Sequence, residues 1–430
     1  MPRAIGLDFG TTNTVLATCP EGGAARPLLF PFEGGHVDAL RSALCFWKDF
    51  RQSPAPIEVE AGPWAIDHYV DDPQDCRFLQ SLKTFSASPH FQATYLFAKK
   101  YRFEDLLRTF LERLRARAGE AMASLPERVV VGRPVTFAGA SPDPLLAMSR
   151  YRAALAEFGF KEIVFVYEPV AAAFSFARKL RGSARVLVAD FGGGTTDFSI
   201  MDFNVAGGAF HARPLAHSGV GIAGDTFDYR IIDHVVLPWL GKGTSFRGMG
   251  KVLPLPQGPF ASFGRWNLLS VLKSSDEFRD LKQTLRYCVE PEKIRRFIEL
   301  VEEDMGYPLY KAVSAAKARL SLAEATAFDF PPLGAGFHAT IKRADFDEWI
   351  AGDLTRVETA LDAAMTEAAL VDASIDKVFL TGGTSFVPAV RDIFKRRFGA
   401  EKIETGDELL SIANGLALIG ERDDAAAWAA

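Results

Sequence analysis

Four short apolar runs punctuate the chain: Ile5–Phe9, Val129–Val131, Val186–Asp190 and Val378–Thr381. Each is rich in Val, Ile or Phe and gives way to Gly, Thr or Pro, which predicts buried strands ending at loops. Between these runs the apolar residues switch to helical spacing. Phe103, Leu106, Leu107, Phe110, Leu111 and Leu114 recur at i, i+3, i+4 and i+7, which predicts a helix with one buried face. Met148, Tyr151, Leu155 and Phe158 do the same, with Gly159 where a C-cap belongs and a new strand from about Ile163. Val387, Val390, Ile393, Phe394 and Phe398 predict another helix, stopped by Gly399. Strands interleaved with helices predict an α/β fold. The stretch 237–307 reads differently. It combines Pro/Gly-rich turns with charged helical segments, as an insertion on one lobe would.

Two of the strand ends repeat. Asp8-Phe9-Gly10-Thr11-Thr12-Asn13-Thr14 closes the first run, and Asp190-Phe191-Gly192-Gly193-Gly194-Thr195-Thr196-Asp197 closes the third. The repeat suggests a distant duplication with a ligand held between equivalent loops. Gly10 lets the backbone approach a phosphate, and the Thr11 and Thr12 hydroxyls and N–H groups can bond its oxygens. Asp8 repels phosphate but can hold a hydrated Mg²⁺ that neutralises it. Three consecutive glycines after a buried strand carry an entropic cost, so something approaches the backbone of Gly192, Gly193 and Gly194. Asp190 and Asp197 flank that loop and can complete the metal's outer shell, with Thr195 and Thr196 adding hydroxyls. A third strand end, Thr381-Gly382-Gly383-Thr384-Ser385, suits close packing of a flat ring such as a purine. Glu168 opens an alanine-rich helix at Glu168-Pro169-Val170-Ala171-Ala172-Ala173. It reads either as a helix N-terminal charge or as a member of the metal and water shell. Lys83 sits among apolar neighbours, and nothing local separates it from an ordinary surface lysine.

The 430 residues allow two lobes of one large α/β unit, and a net charge of −5 gives no overall reason to seek nucleic acid or an anionic membrane. The basic run Lys395-Arg396-Arg397 reads as a solvated helix face. Cys19, Cys45, Cys76 and Cys288 are scattered with no CxxC pair, which argues against a zinc or iron–sulfur site and fits a reducing compartment. The N-terminal residues have no signal-peptide apolar region, and no stretch reaches the roughly 18 apolar residues of a membrane span. The expected location is the cytoplasm.

These motifs, in this order, resemble the ATPase domain of the heat-shock protein 70 (DnaK-like) family. Asp8–Thr14 and Asp190–Asp197 are similar to its two phosphate loops. Glu168–Ala173 and Ser411–Ala417 resemble its connecting helices, and Thr381–Pro388 its adenosine loop. Ile341–Phe346 matches a further family segment. The resemblance implies an actin-like ATPase fold, with two lobes each built on a ribonuclease-H-like sheet and the nucleotide in a central cleft. It places lobe I at 1–180 with a subdomain at about 38–109, lobe II at 181–404 with an inserted subdomain at about 225–344, and a return to lobe I over 405–430.

Carried over, the resemblance implies ATP or ADP with Mg²⁺. Asp8, Asp190 and Asp197 would hold the hydrated ion. Gly10, Thr11, Thr12, Asn13, Gly192, Gly193, Gly194, Thr195, Thr196 and Gly224 would meet the phosphates. Lys83 matches the lysine that orients the attacking water, and Glu168 joins the same network. In the adenine pocket the family's Glu, Lys, Arg and Ser correspond to Ser314, Lys317, Ala318 and Ser321, so only Lys317 and Ser321 keep the pattern. Gly382, Gly383 and Thr384 carry over, whereas Phe386 replaces an arginine and either stacks on the base or belongs to the core. The acid before the second connecting helix does not align cleanly, with Asp407 nearby. The chain ends soon after that helix, with no peptide-binding domain or lid, which resembles the short YegD-like branch. The expected function is a slow, Mg-dependent, chaperone-like ATPase switch, with an unknown protein partner meeting the insertion. An actin-like scaffold or filament protein and a metabolite kinase of the same fold are the alternatives.

Overall fold

Two mixed sheets with the same strand order frame the molecule. The computed structural model describes the chain except residues 1, 52, 73, 74, 140, 181, 207, 208, 249, 266, 267, 274, 405, 407 and 408, and the side chains at 205, 206, 209, 210, 270 and 271. Asp407 therefore lies outside the described residues.

In the first sheet, β1 (Ala4–Phe9), β2 (Asn13–Thr18) and β3 (Arg26–Pro27) form an antiparallel meander. β4 (Arg128–Arg133) and β5 (Glu162–Tyr167) then add in parallel beyond β1. The second sheet repeats the plan. β6 (Ala184–Phe191), β7 (Thr196–Ala206) and β8 (Ala209–Val220) meander, and β9 (Lys377–Thr381) and β10 (Ile403–Glu404) add in parallel beyond β6. The four predicted apolar runs are β1, β4, β6 and β9. Each is the first strand of its sheet or the parallel neighbour of that strand. Such strands are covered on both faces, which is why they read as continuous apolar runs. The meander partners alternate more and are less visible.

Each sheet is followed by a helix that packs chiefly on the other sheet. α1 (Glu168–Ala177) leaves β5 and lies on β6 and β7, while α2 (Ser411–Gly420) follows β10 and lies on β1, β2 and β4. The two helices touch where a Cβ on Gly415 would stand 1.7 Å from the Ala171 carbonyl oxygen, so only glycine fits the crossing. The alanine run of α1 is the other half of that contact. The outer face of the first sheet is covered by the helices Phe103–Ala118 and Pro144–Phe158. Phe9 of β1 meets Phe110 edge-on at 5.6 Å and Tyr151 at 6.1 Å, tying both helices to the strand that ends at the first loop. The six apolar positions predicted on the first of these helices are all buried.

Contacts divide the chain into two compact units. One holds Met1–Asp71, Cys76–Gly224 and Leu354–Ala430, and includes both sheets; the other holds Asp72–Asp75 and Asp225–Asp353. The second unit has its own core, in which Phe297 packs against Phe260 at 4.8 Å and Phe263 at 5.2 Å. No helix is long and apolar enough to cross a membrane among the described residues.

Candidate active site

The two repeated strand ends are equivalent hairpins. The Gly10 N–H donates to the Asn13 carbonyl at 2.9 Å, and the Gly192 N–H donates to the Thr195 carbonyl at 3.0 Å. Phe9 pairs with Thr14 as Phe191 pairs with Thr196, and Asp8 faces Val15 as Asp190 faces Asp197. The two loops therefore match position for position, and the second carries an extra carboxylate where the first has a valine. Both threonines that follow the loops are fully buried and serve the fold. Ser42 Oγ donates to the Gly10 carbonyl at 2.7 Å, so its 2.9 Å contact with Thr14 Oγ1 has the threonine as donor. Thr196 Oγ1 donates to the Ile222 carbonyl at 2.7 Å. The Thr196 hydroxyl therefore spends its one proton on anchoring the loop.

The loops face each other. A Cβ on Gly193 would stand 2.3 Å from Thr12 Oγ1, so only glycine allows the approach. Gly194 faces Thr11 in the same way, with Thr11 Oγ1 3.2 Å from its Cβ position. Among the described residues, the Thr11 and Thr12 hydroxyls and the N–H groups of Thr11, Thr12, Gly193 and Gly194 have no hydrogen-bond partner. Unengaged N–H and hydroxyl donors on two facing loops are groups that can bond an anion. Asn13 stands where the first loop returns as β2, paired with Arg41. The Gly192 carbonyl accepts from the Gly224 N–H at 3.4 Å and from Thr384 Oγ1 at 3.2 Å, so two further segments buttress the second loop.

Behind the loops lies a buried charge cluster. Lys83 Nζ is 2.5 Å from Glu168 Oε1, and both side chains are buried. Asp8, Asp190 and Asp197 are buried as well, which sets four carboxylates against one ammonium. Burial first, and the charge of Glu168 second, push the Asp8 carboxyl up to about 7 despite Lys83. The same two causes push Asp197 up to about 7. Asp190 is raised well above its ordinary value by burial, Glu168, Asp197 and Asp8. Burial pulls Lys83 down, but Glu168, Tyr151 and Asp8 more than reverse this and keep it protonated. Asp197 Oδ1 accepts from the N–H groups of Val135 at 2.8 Å and Thr136 at 3.0 Å, whereas its buried Oδ2 has no hydrogen-bond partner. Among the described residues, no three His, Cys, Asp or Glu side chains converge as a direct ligand set for a metal.

The third loop divides its roles. Gly382 has φ +81°, and a Cβ there would stand 2.1 Å from the Phe191 carbonyl oxygen, so this glycine locks β9 to β6. Gly383 has nothing within 4 Å of its Cβ position and leaves open space. Phe386 is 46% exposed and is therefore not core. The Arg391 guanidinium lies 5.2 Å from its ring centroid and donates to the Ser385 carbonyl at 2.8 Å. Lys317 and Ser321 belong to the second unit, where they end the helix Gly306–Leu320; Lys317 Nζ is 2.9 Å from the buried Asp228.

Sequence reasoning did not single out Ser42, Thr136 or Arg150. Ser42 and Thr136 lie on loops and carry no local pattern. Arg150 had one: the buried face of its helix reads Ala147, Arg150, Tyr151, Ala154, Leu155, Phe158, an apolar stripe with one arginine in it.

A protein-family model described as Hsp70 protein matches residues 86–242 and 280–422. The matched segments contain Glu168, Asp190–Asp197, Gly224, Lys317, Ser321 and Gly382–Phe386. They begin after Asp8–Asn13 and after Lys83, which join the site through the geometry above.

Proposed function

Because the chain belongs to the Hsp70 family, we propose that it binds Mg-ATP through the loops Gly10–Asn13 and Gly192–Thr195 and hydrolyses it slowly. Members of this family are ATPases with an actin-like fold, and the duplicated sheets with their exchanged helices are that fold. ATP binding and a chaperone-like role follow from membership.

The observation that carries it is the juxtaposition of two facing loops rich in unengaged donors with a buried, carboxylate-rich cluster. The loops suit phosphate oxygens, through the unengaged N–H groups of Thr11, Thr12, Gly193 and Gly194 and the two threonine hydroxyls. The cluster suits a divalent cation: the unpaired Oδ2 of Asp197 and the excess of carboxylates over ammonium both call for one. Without three convergent ligands, Asp8, Asp190 and Asp197 would hold Mg²⁺ through its water shell, as this ion permits. When bound, it supplies neutralisation of phosphate charge.

The remaining chemistry belongs to side chains. Lys83, held protonated by Glu168, donates toward the terminal phosphate and orients the attacking water. Catalysis in such a site consists of positioning and charge stabilisation. With the attacking water oriented by a protonated lysine, turnover is slow. Phe386 offers an exposed ring on which a base stacks, and the segment 225–344 offers the surface for a protein partner.

Titration calorimetry of the protein with Mg-ATP, and with ATP in excess EDTA, tests the reading. Tight binding that weakens by tenfold or more in EDTA supports it. Equal affinity in both solutions, or no binding, overturns it.

A further inference from the structure

We infer that Arg150 is the positioning residue for Lys83, acting through the loop 85–91. This rests on the ATPase reading given above. Arg150 is buried on the helix Pro144–Phe158 and is paired with no carboxylate among the described residues. Its guanidinium instead grips backbone. Nη1 donates to the carbonyls of Phe85 at 2.9 Å, Ser86 at 3.0 Å and Ser88 at 3.1 Å, and Nη2 donates to Phe91 at 2.5 Å. The same helix adds a fifth tie, from the Asp143 N–H to the Ala87 carbonyl at 2.8 Å. A planar five-donor fork can hold diverging carbonyls that a lysine ammonium cannot.

The loop held in this way begins two residues beyond Lys83. Ser86, fixed by Arg150, returns two hydrogen bonds to the Lys83 carbonyl, from its N–H at 3.1 Å and from Oγ at 2.7 Å. On the other side, Ser81 sits at φ +54°, a left-handed conformation that non-glycine residues seldom adopt. Lys83 thus projects from a single 3₁₀ turn, Leu82–Phe85, with a strained entry and an exit clamped by one buried guanidinium. A buried cation whose hydrogen bonds all go to backbone carbonyls, with Glu104 and Asp143 offsetting only part of the cost of burial, is an expensive way to order one loop. The adjacent Tyr151 carries the same helix into the Lys83 environment, where the two groups influence each other's ionisation. The loop also reaches the helix by packing, with Ala87 buried against Ala147 and Phe137.

The test combines single-turnover ATP hydrolysis, ADP affinity and hydrogen exchange for the wild type, Arg150→Lys, Lys83→Ala and the double variant. We expect Arg150→Lys to lose amide protection over 83–91 and keep it in β6 and β9. Its hydrolysis falls about 10- to 100-fold, the range for misplacing a catalytic group by about an ångström, while ADP affinity stays within about twofold. In the Lys83→Ala background, Arg150→Lys causes no further loss of rate, because both substitutions remove the same function. Arg150→Gln, neutral and shorter, with two N–H donors on a single nitrogen, replaces Arg150→Lys if the latter does not fold. An unchanged hydrolysis rate in the Arg150 variant, or a further loss in the double variant, overturns the inference and leaves the ATPase reading intact. A wild type that hydrolyses no ATP overturns the ATPase reading and this inference with it.

Discussion

Lys83 Nζ lies 2.5 Å from Glu168 Oε1 across 85 positions of sequence, with both groups buried. Removing one partner of a buried pair costs about 3–5 kcal/mol because the other charge is left uncompensated. The two removals are not equivalent here. Lys83→Met leaves four carboxylates without a cation, whereas Glu168→Gln leaves Lys83 near Asp8 and relieves repulsion on Asp190 and Asp197. Thermal unfolding in EDTA is expected to show the larger loss for Lys83→Met. The opposite ranking contradicts the charge balance described above.

The glycines of the site separate by what their Cβ would meet. Gly382→Ala places a methyl against the Phe191 carbonyl at positive φ and is expected to cost more than about 1 kcal/mol of stability. Gly383→Ala, with open space, is expected to stay within about 0.5 kcal/mol of wild type. Gly193→Ala is expected to weaken nucleotide binding more than stability, since its methyl meets Thr12 Oγ1 on the facing loop. Urea unfolding and nucleotide titration of the three variants check this order.

Phe386 is half exposed and meets the Arg391 guanidinium, so Phe386→Ala is expected to leave stability within about 0.5 kcal/mol. If the ring carries the base, ATP affinity falls about tenfold, in line with about 1–3 kcal/mol for aromatic stacking on a base. Competition with a fluorescent nucleotide measures it, and unchanged affinity removes Phe386 from the site.

His217 gives the fold a pH dependence of its own. It lies on β8 opposite Ser199, with the Tyr167 ring 4.8 Å away and the Arg133 guanidinium 5.0 Å from the centroid of that tyrosine. Burial lowers its pKa below 6.5, against a smaller opposing pull from Glu367. The unfolded chain therefore binds the proton more readily than the folded one. The stabilisation is fully present above pH 6.5 and is lost as pH falls through the folded pKa. The melting temperature of His217→Gln is expected to fall less steeply than that of wild type between pH 7 and 5. Parallel curves contradict this.

The repeated Asp-Phe-Gly turns were legible because both the strand interior and its chemistry are local. The shared strand order was not, since pairing β1 with β4 joins segments more than a hundred residues apart. Lys83 carried no local mark for the same reason: its partner Glu168 is 85 positions away. The bond from Thr196 to the Ile222 carbonyl was not legible either, since it joins positions 26 residues apart. The basic run Lys395-Arg396-Arg397 is a helix end as predicted, but Arg397 is bound to Asp362 and Asp372 rather than solvated.

The most direct measurement is ATP hydrolysis by excess protein in a single turnover, with Mg²⁺, for wild type and Lys83→Ala. The account predicts slow hydrolysis by the wild type and its loss in Lys83→Ala, with ATP still bound by both. Equal rates for the two proteins, or no hydrolysis by the wild type despite tight Mg-ATP binding, would contradict it.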